Sequence, residues 1–417
     1  MRKILISFIF FLFSVNLWAY DIVVDSFRYS FNKDSVSLTL TSQIYSKNRL
    51  DVVIPSEVEY NGKTYLVNAI RNYAFEEQDI KSVVIPKGIT TLGKEIFYEC
   101  SSLKQVVLPE GLTEIPDGIF YSCTSLESVN IPESVTKIGK SSFSHCLKLS
   151  NIELPNGLQE IGVGAFAQTG LLRVDIPDLV TTIDTSAFSF CSRLKEVTIP
   201  KSVKKLGTRV FSSCDSLMMI NISKDNSYFT FEDGCLYNKS KSKIFQYLKT
   251  NRDREYIVHE GVNSIDDYAF YDCDSLISVT IPNGVTKVDD YAFAHCDNLT
   301  MINIPGSVTS LGNYVFYYCQ NLSSVKLSEG LETIKRFAFK NCIKLSELYL
   351  PNSLKEIREG AFEDCEKLSS ITIPKSITTI SKSLFLYCEN LEQVNLHENI
   401  QEIQDNAFAN GTIHNFV

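Results

Sequence analysis

Phenylalanine stands at Phe97, Phe120, Phe143 and Phe166, always 23 residues apart. A fixed period of that length restricts a chain to stacking one small supersecondary unit on itself. The series continues at Phe188 and Phe211, then at Phe270, Phe293, Phe316, Phe339, Phe362, Phe385 and Phe408. Phe75 opens it, and two steps, from Phe75 to Phe97 and from Phe166 to Phe188, are 22 residues long. Phe211 and Phe270 are 59 residues apart, one period plus an insertion of 36.

The other columns follow from that anchor. Cysteine comes three residues later (Cys100, Cys123, Cys146) and leucine six later (Leu103, Leu126, Leu149). Nine and eleven later come apolar pairs such as Val129 with Ile131, and then proline, as in Pro86, Pro109 and Pro132. The pair alternates with period two, so it reads as a short strand with one face inward. Proline lacks an amide hydrogen and closes each strand at its end. The Ala-Phe-x-x-Cys-x-x-Leu segment has apolar spacings of three, which predict a turn of α- or 3₁₀-helix on the opposite wall. One 23-residue coil cannot bury this apolar set alone, whereas stacked coils share a continuous core. The reading is a repeat solenoid, a right-handed coil with a parallel β-sheet on one face and short helical or 3₁₀ turns on the other. Fourteen coils at about 4.8 Å each would make a rod roughly 65 Å long.

The run from Leu126 to Cys146, LESVNIPESVTKIGKSSFSHC, resembles the unit of the BspA-type leucine-rich-repeat surface proteins. The pattern recurs through most of the chain. The resemblance implies a leucine-rich-repeat solenoid on an exported protein, with adhesion to host or neighbouring-cell surfaces, no catalytic residues and no cofactor.

Met1-Arg2-Lys3, an apolar run from Ile4 to Val15 and Asn16-Leu17-Trp18-Ala19 read as a signal peptide over 1–19. The run is short of the ~20 residues of a spanning helix, and no later segment resembles one. The expected location is therefore outside the cytosol: secreted, periplasmic or at the cell surface. The formal charge of −9 becomes −11 without Arg2 and Lys3, a balance that disfavours nucleic acid. Residues 20–66 read as an N-terminal β cap, with Asn61-Gly62 marking a hairpin. The repeats form one block over 67–222 and a second over 258–417. Between them, 223–257 has β-like runs and reads either as an elaborated coil or as a binding arm. At the other end Val417 falls in register at the first buried strand position. A last coil without a cover would offer an open edge for weak self-association.

Eleven of twelve cysteines share one column: Cys100, Cys123, Cys146, Cys191, Cys214, Cys273, Cys296, Cys319, Cys342, Cys365 and Cys388; Cys235 stands apart in the insertion. Side chains in one column point the same way, and the run of three before Thr169 cannot pair off. A buried thiol ladder therefore fits better than disulfides, and no C-x-x-C pair suggests a metal site. The histidines are scattered and read as solvated. No nucleophile elbow, zinc-protease helix or P-loop occurs, so no enzyme is expected.

Two surfaces could recognise a partner. One is the exposed strand position after Val107: Asn130, Glu153, Asp175, Thr198, Asn221, Thr280, Asn303, Lys326, Tyr349, Thr372 and Asn395. The other is aromatic, with Tyr98, Tyr121, Tyr271, Tyr317, Tyr318 and Tyr387 just after the phenylalanines. The sequence points to a recognition or adhesion protein for extracellular proteins or glycans. The alternative is a structural solenoid that assembles end to end.

Overall fold

The computed structural model describes residues 22–34, 37–43, 50–411 and 415–416. The signal-peptide segment lies outside them. Most coils carry a strand where the apolar pair alternates, and within each stretch of the main sheet successive strands pair parallel and in register. Val52, Val83, Val106 and Val129 stand opposite one another in this way. Each turns its valine inward and its flanking residues outward, as the period of two requires.

A second parallel ladder of two-residue strands runs beside the first. It joins Ile115, Ile138, Ile161, Ile183 and Leu206, and later Ile265 through Ile357. In these coils the residue after the strand donates its amide backward, as Gly139 does to the Ile115 carbonyl at 2.8 Å. Pro116 has no amide to give, and Thr91–Leu92 and Glu114–Ile115 are not joined in one sheet.

The wall opposite the main sheet differs from the helical turns the spacing predicts: no helix occurs among the described residues. Around Phe97, the amides of Glu95, Phe97 and Glu99 donate to the carbonyls of Asp117, Ile119 and Tyr121 in the next coil, at 3.0, 3.0 and 2.8 Å. Glu95 and Glu99 are left-handed, with φ of 55° and 56°. A residue two places before and another two after each of the fourteen phenylalanines adopts this conformation. A helix needs an unbroken right-handed run, so these positions exclude it. A left-handed non-glycine costs about 1–2 kcal/mol, and each inter-coil hydrogen bond offsets about 0.5–1.5 of that. The apolar spacing of three survives because isolated turns, such as Cys100 N–H to Phe97 O at 3.1 Å, place Phe, Cys and Leu on the inner side.

The buried phenylalanine rings stack along the axis, from Phe75 on Phe97 at 5.3 Å to Phe188 on Phe211 at 5.9 Å. The insertion then supplies its own column member. Tyr247 lies 23 residues before Phe270, stacks on it at 5.3 Å and donates its amide to Ala269. Phe211 to Tyr247 is 36 residues, thirteen more than a regular coil. The excess is an antiparallel hairpin, Phe229–Glu232 with Cys235–Asn238, followed by Lys243–Tyr247, which enters the second ladder beside Ser264–Ile265. Phe229, Leu236 and Leu248 close the first core, while Cys235, Tyr237, Ile244 and Tyr247 open the second. The insertion is therefore a fifteenth coil of the stack rather than a detached arm.

At the start, Ile22–Val24, Phe27–Phe31 and Ser37–Gln43 form an antiparallel meander. Phe27 meets Phe75 edge-on at 6.3 Å, so the meander covers the first ring of the column. Asn61 and Gly62, with φ of 51° and 73°, turn Glu57–Tyr60 into Lys63–Ile70. At the far end Asn415–Phe416 pairs with Gln393–Val394. Phe416, not Val417, stands opposite Val394, because this coil is one residue shorter than the 23-residue period assumes. No described helix is long and apolar enough to cross a membrane.

Candidate recognition surface

The main sheet brings the polar strand positions onto one outer face. Asn130, Glu153, Asp175, Asn221, Thr280, Asn303, Lys326, Tyr349 and Thr372 are exposed, and Thr198 and Asn395 are half-buried. The face is not uniform. Val53, Val84 and Val107 begin it as an apolar strip, and Ile257, 72% exposed, follows the hairpin. Asn130 is turned to the backbone, accepting the Leu108 amide at 3.0 Å and donating to the Leu108 carbonyl. Asp175 is held by Arg173, which also reaches Glu196 at 3.1 Å. The guanidinium hydrogen bonds keep the Asp175 carboxyl below its ordinary range. Asn221 donates to Glu196, and Asn395 Nδ2 donates to Thr372 Oγ1 at 2.9 Å. Glu153 lies in a segment without strand pairing, which divides the sheet on that side.

The aromatic residues on the turn wall are stacked upon one another. Tyr98 and Tyr121 lie 5.2 Å apart, and Tyr121 continues onto His145. Tyr271, Tyr317 and Tyr318 gather around His295, with Tyr318 parallel to it at 5.2 Å. Both histidines, read from sequence as solvated, are thus half-buried members of stacks. Tyr387 is 45% exposed.

A third row escaped the sequence reading. Tyr268, Tyr291, Tyr314 and Phe337 stack at 4.7, 4.7 and 5.0 Å, and Arg209 covers the outer face of Tyr268 at 4.1 Å. The signal was available: these four sit two places before four consecutive column phenylalanines. Burial, reinforced by Tyr268 and Tyr314, pushes the Tyr291 hydroxyl up to about 12. Within each row, inner ring faces meet neighbouring rings.

The column cysteines are buried and unpaired. Most donate Sγ–H to the phenylalanine carbonyl of the preceding coil, as Cys123 does to Phe97 at 3.1 Å and Cys319 to Phe293 at 3.0 Å. Thr169 takes one place in the column, its Oγ1 donating to Phe166 O. Cys273 follows the tyrosine coil and reaches only its own neighbour, Tyr271 O, at 3.7 Å. Cys235 lies apart, accepting the Tyr256 hydroxyl at 3.0 Å. Burial pushes Cys100 and Cys388 up to about 12, and Cys123, Cys146, Cys296 and Cys342 also upward. A nucleophilic cysteine must form thiolate and be reachable, and these are neither. Among the described residues no group of three His, Cys, Asp or Glu is placed to hold a metal.

The chain matches the model of the BspA type leucine rich repeat region in overlapping stretches over 68–192, 172–253, 241–342 and 310–417. Among solved structures it is similar to a leucine rich cell surface protein from Faecalibacterium prausnitzii, at 28% identity and a TM-score of 0.69, covering 94% of this chain and 98% of that one. A leucine-rich repeat protein from Eubacterium ventriosum shares the fold at 24% identity and a TM-score of 0.57, covering 95% and 97%. The pneumococcal vaccine antigen PcpA does so at 19% and 0.57, covering 95% and 98%. No functionally curated protein matches the chain.

Proposed function

The chain belongs to the BspA-type leucine-rich-repeat family, and from that premise we propose that it is an exported, cell-surface recognition protein that binds extracellular proteins or glycans through the outer face of its main sheet. The observation that carries this reading is the face itself. A rigid ladder holds one outward side chain per coil, mostly Asn, Thr and charged residues, at a fixed spacing. Such residues hydrogen-bond a partner without the chemistry of an active site. The leader-like N-terminus and the cell-surface relative support the location. The buried thiols and the hydrogen-bonded histidines support a non-catalytic role.

The test is capture by the mature chain from a panel of extracellular glycoproteins and glycans. Binding should weaken when Asn303, Lys326 and Thr372 are together replaced by alanine, with the circular dichroism unchanged. Binding indifferent to these changes would move the function off this face.

A further inference from the structure

Resting on that reading, we infer that a cleft beside Tyr349 is a binding site for neutral hexose glycans. Between the coil of Glu347–Tyr349 and that of Ser370–Thr372 the main sheet comes apart, and the second ladder parts between Glu356–Ile357 and Thr379–Ile380. Elsewhere among the described residues both ladders part together only at the insertion. The turn wall stays closed across this seam, with Phe362 donating its amide to Leu384 O at 3.0 Å and stacking on Phe385 at 5.5 Å. Across the main sheet one stretched link remains, Ser369 N–H to Ser346 O at 3.5 Å. In the second ladder the Ser376 and Ser381 hydroxyls reach back to the Leu354 and Ile357 carbonyls. The coils therefore wedge open toward the sheet, leaving a cleft of about 650 Å³ on the recognition face.

The chemistry of the cleft selects its ligand. Tyr349 is 82% exposed and is the only aromatic residue of the polar stripe. The tyrosines of the turn wall lie against neighbouring rings, but Tyr349 enters no ring stack. An open aromatic face beside a few fixed polar groups suits the C–H face of a pyranose ring. Thr372 Oγ1 accepts from Asn395, which leaves its own hydrogen to donate. His397 is fixed at the rim, with Nε2–H donating to Pro374 O at 2.8 Å and Nδ1 accepting the Asn399 amide. Glu347 and Lys375, the charged lining residues, offset each other, so a polyanion or polycation gains nothing here.

The test uses the full mature chain and saturation-transfer NMR with lactose, cellobiose and mannobiose beside their sulfated forms. Transfer should reach the C–H protons of a neutral disaccharide. Tyr349→Ala should weaken its binding by about ten-fold, the equivalent of one good contact. Tyr349→Trp should retain it, and Tyr98→Ala should leave it unchanged. No transfer to any neutral sugar, equal transfer to the sulfated forms, or full binding by Tyr349→Ala would each overturn the site. Protein capture that survives both deglycosylation of the partner and Tyr349→Ala would overturn the glycan site while leaving the broader recognition function standing.

Discussion

Replacing Gly360 by alanine tests the turn wall at one atom. Gly360 sits two places before Phe362 with φ of +60°, a conformation that Tyr314, Phe337 and Ser383 adopt at equivalent positions. Left-handed geometry therefore does not by itself require glycine here. The neighbour does: a Cβ at 360 would fall well inside van der Waals contact with Cδ1 and Cε1 of Phe337. That ring cannot swing away freely, because it stacks on Tyr314 at 5.0 Å and lies under the Lys340 ammonium at 5.5 Å. The left-handed alanine costs about 1–2 kcal/mol, the reduced freedom of the unfolded chain returns about 0.4–1, and overpacking costs about 1–3. The expected loss is about 2–3 kcal/mol. Phe337→Ala alone should cost less than a fully buried phenylalanine, since its ring is half-exposed. In the double variant the clash is gone, so its loss should fall short of the sum of the two single losses by about 1–2 kcal/mol. Urea unfolding followed by circular dichroism on all four proteins measures this. Strict additivity would refute the steric account and leave backbone strain as the cause.

The thiol column should make the fold alkali-sensitive. Cys100 and Cys388 rise from an ordinary 9.0 to about 12, so between those values the unfolded chain releases protons that the folded chain keeps. Stability should fall by about 1.4 kcal/mol per pH unit per thiol as pH rises through that window. Urea midpoints at pH 8, 9 and 10 should drop, and less steeply in Cys100→Ser/Cys388→Ser; equal slopes would contradict the burial argument. The same burial predicts few alkylatable thiols in the folded protein and close to twelve after unfolding without reductant; recovery of disulfide-linked peptides would refute the ladder. Excision of 224–255, harmless if the insertion were a detachable arm, should abolish cooperative unfolding because it removes Tyr247 and the strand joining the two cores. Shortening only the loop at 239–242 should be tolerated.

Much of this architecture is written in the sequence because each coil solves the same burial problem. Phe, Cys, Leu and the alternating pair recur wherever a side chain must turn inward, and so the stack and its parallel sheet were legible. Local turn chemistry was legible too: Asn61-Gly62 marks its hairpin. What the residues could not show is backbone conformation without a residue signature. The left-handed positions beside each phenylalanine hold Glu, Ser, Tyr, His and Gly alike, because inter-coil hydrogen bonds, not residue preference, set them. Apolar spacings of three were therefore compatible with helix until the stack spent those amides on the neighbouring coil. Tyr247 was hidden by a thirteen-residue hairpin that displaced the period. The polar stripe could be read from sequence, but not the seam that singles out Tyr349, since adjacent coils with nearly the same pattern either close or part according to how their strands meet in space.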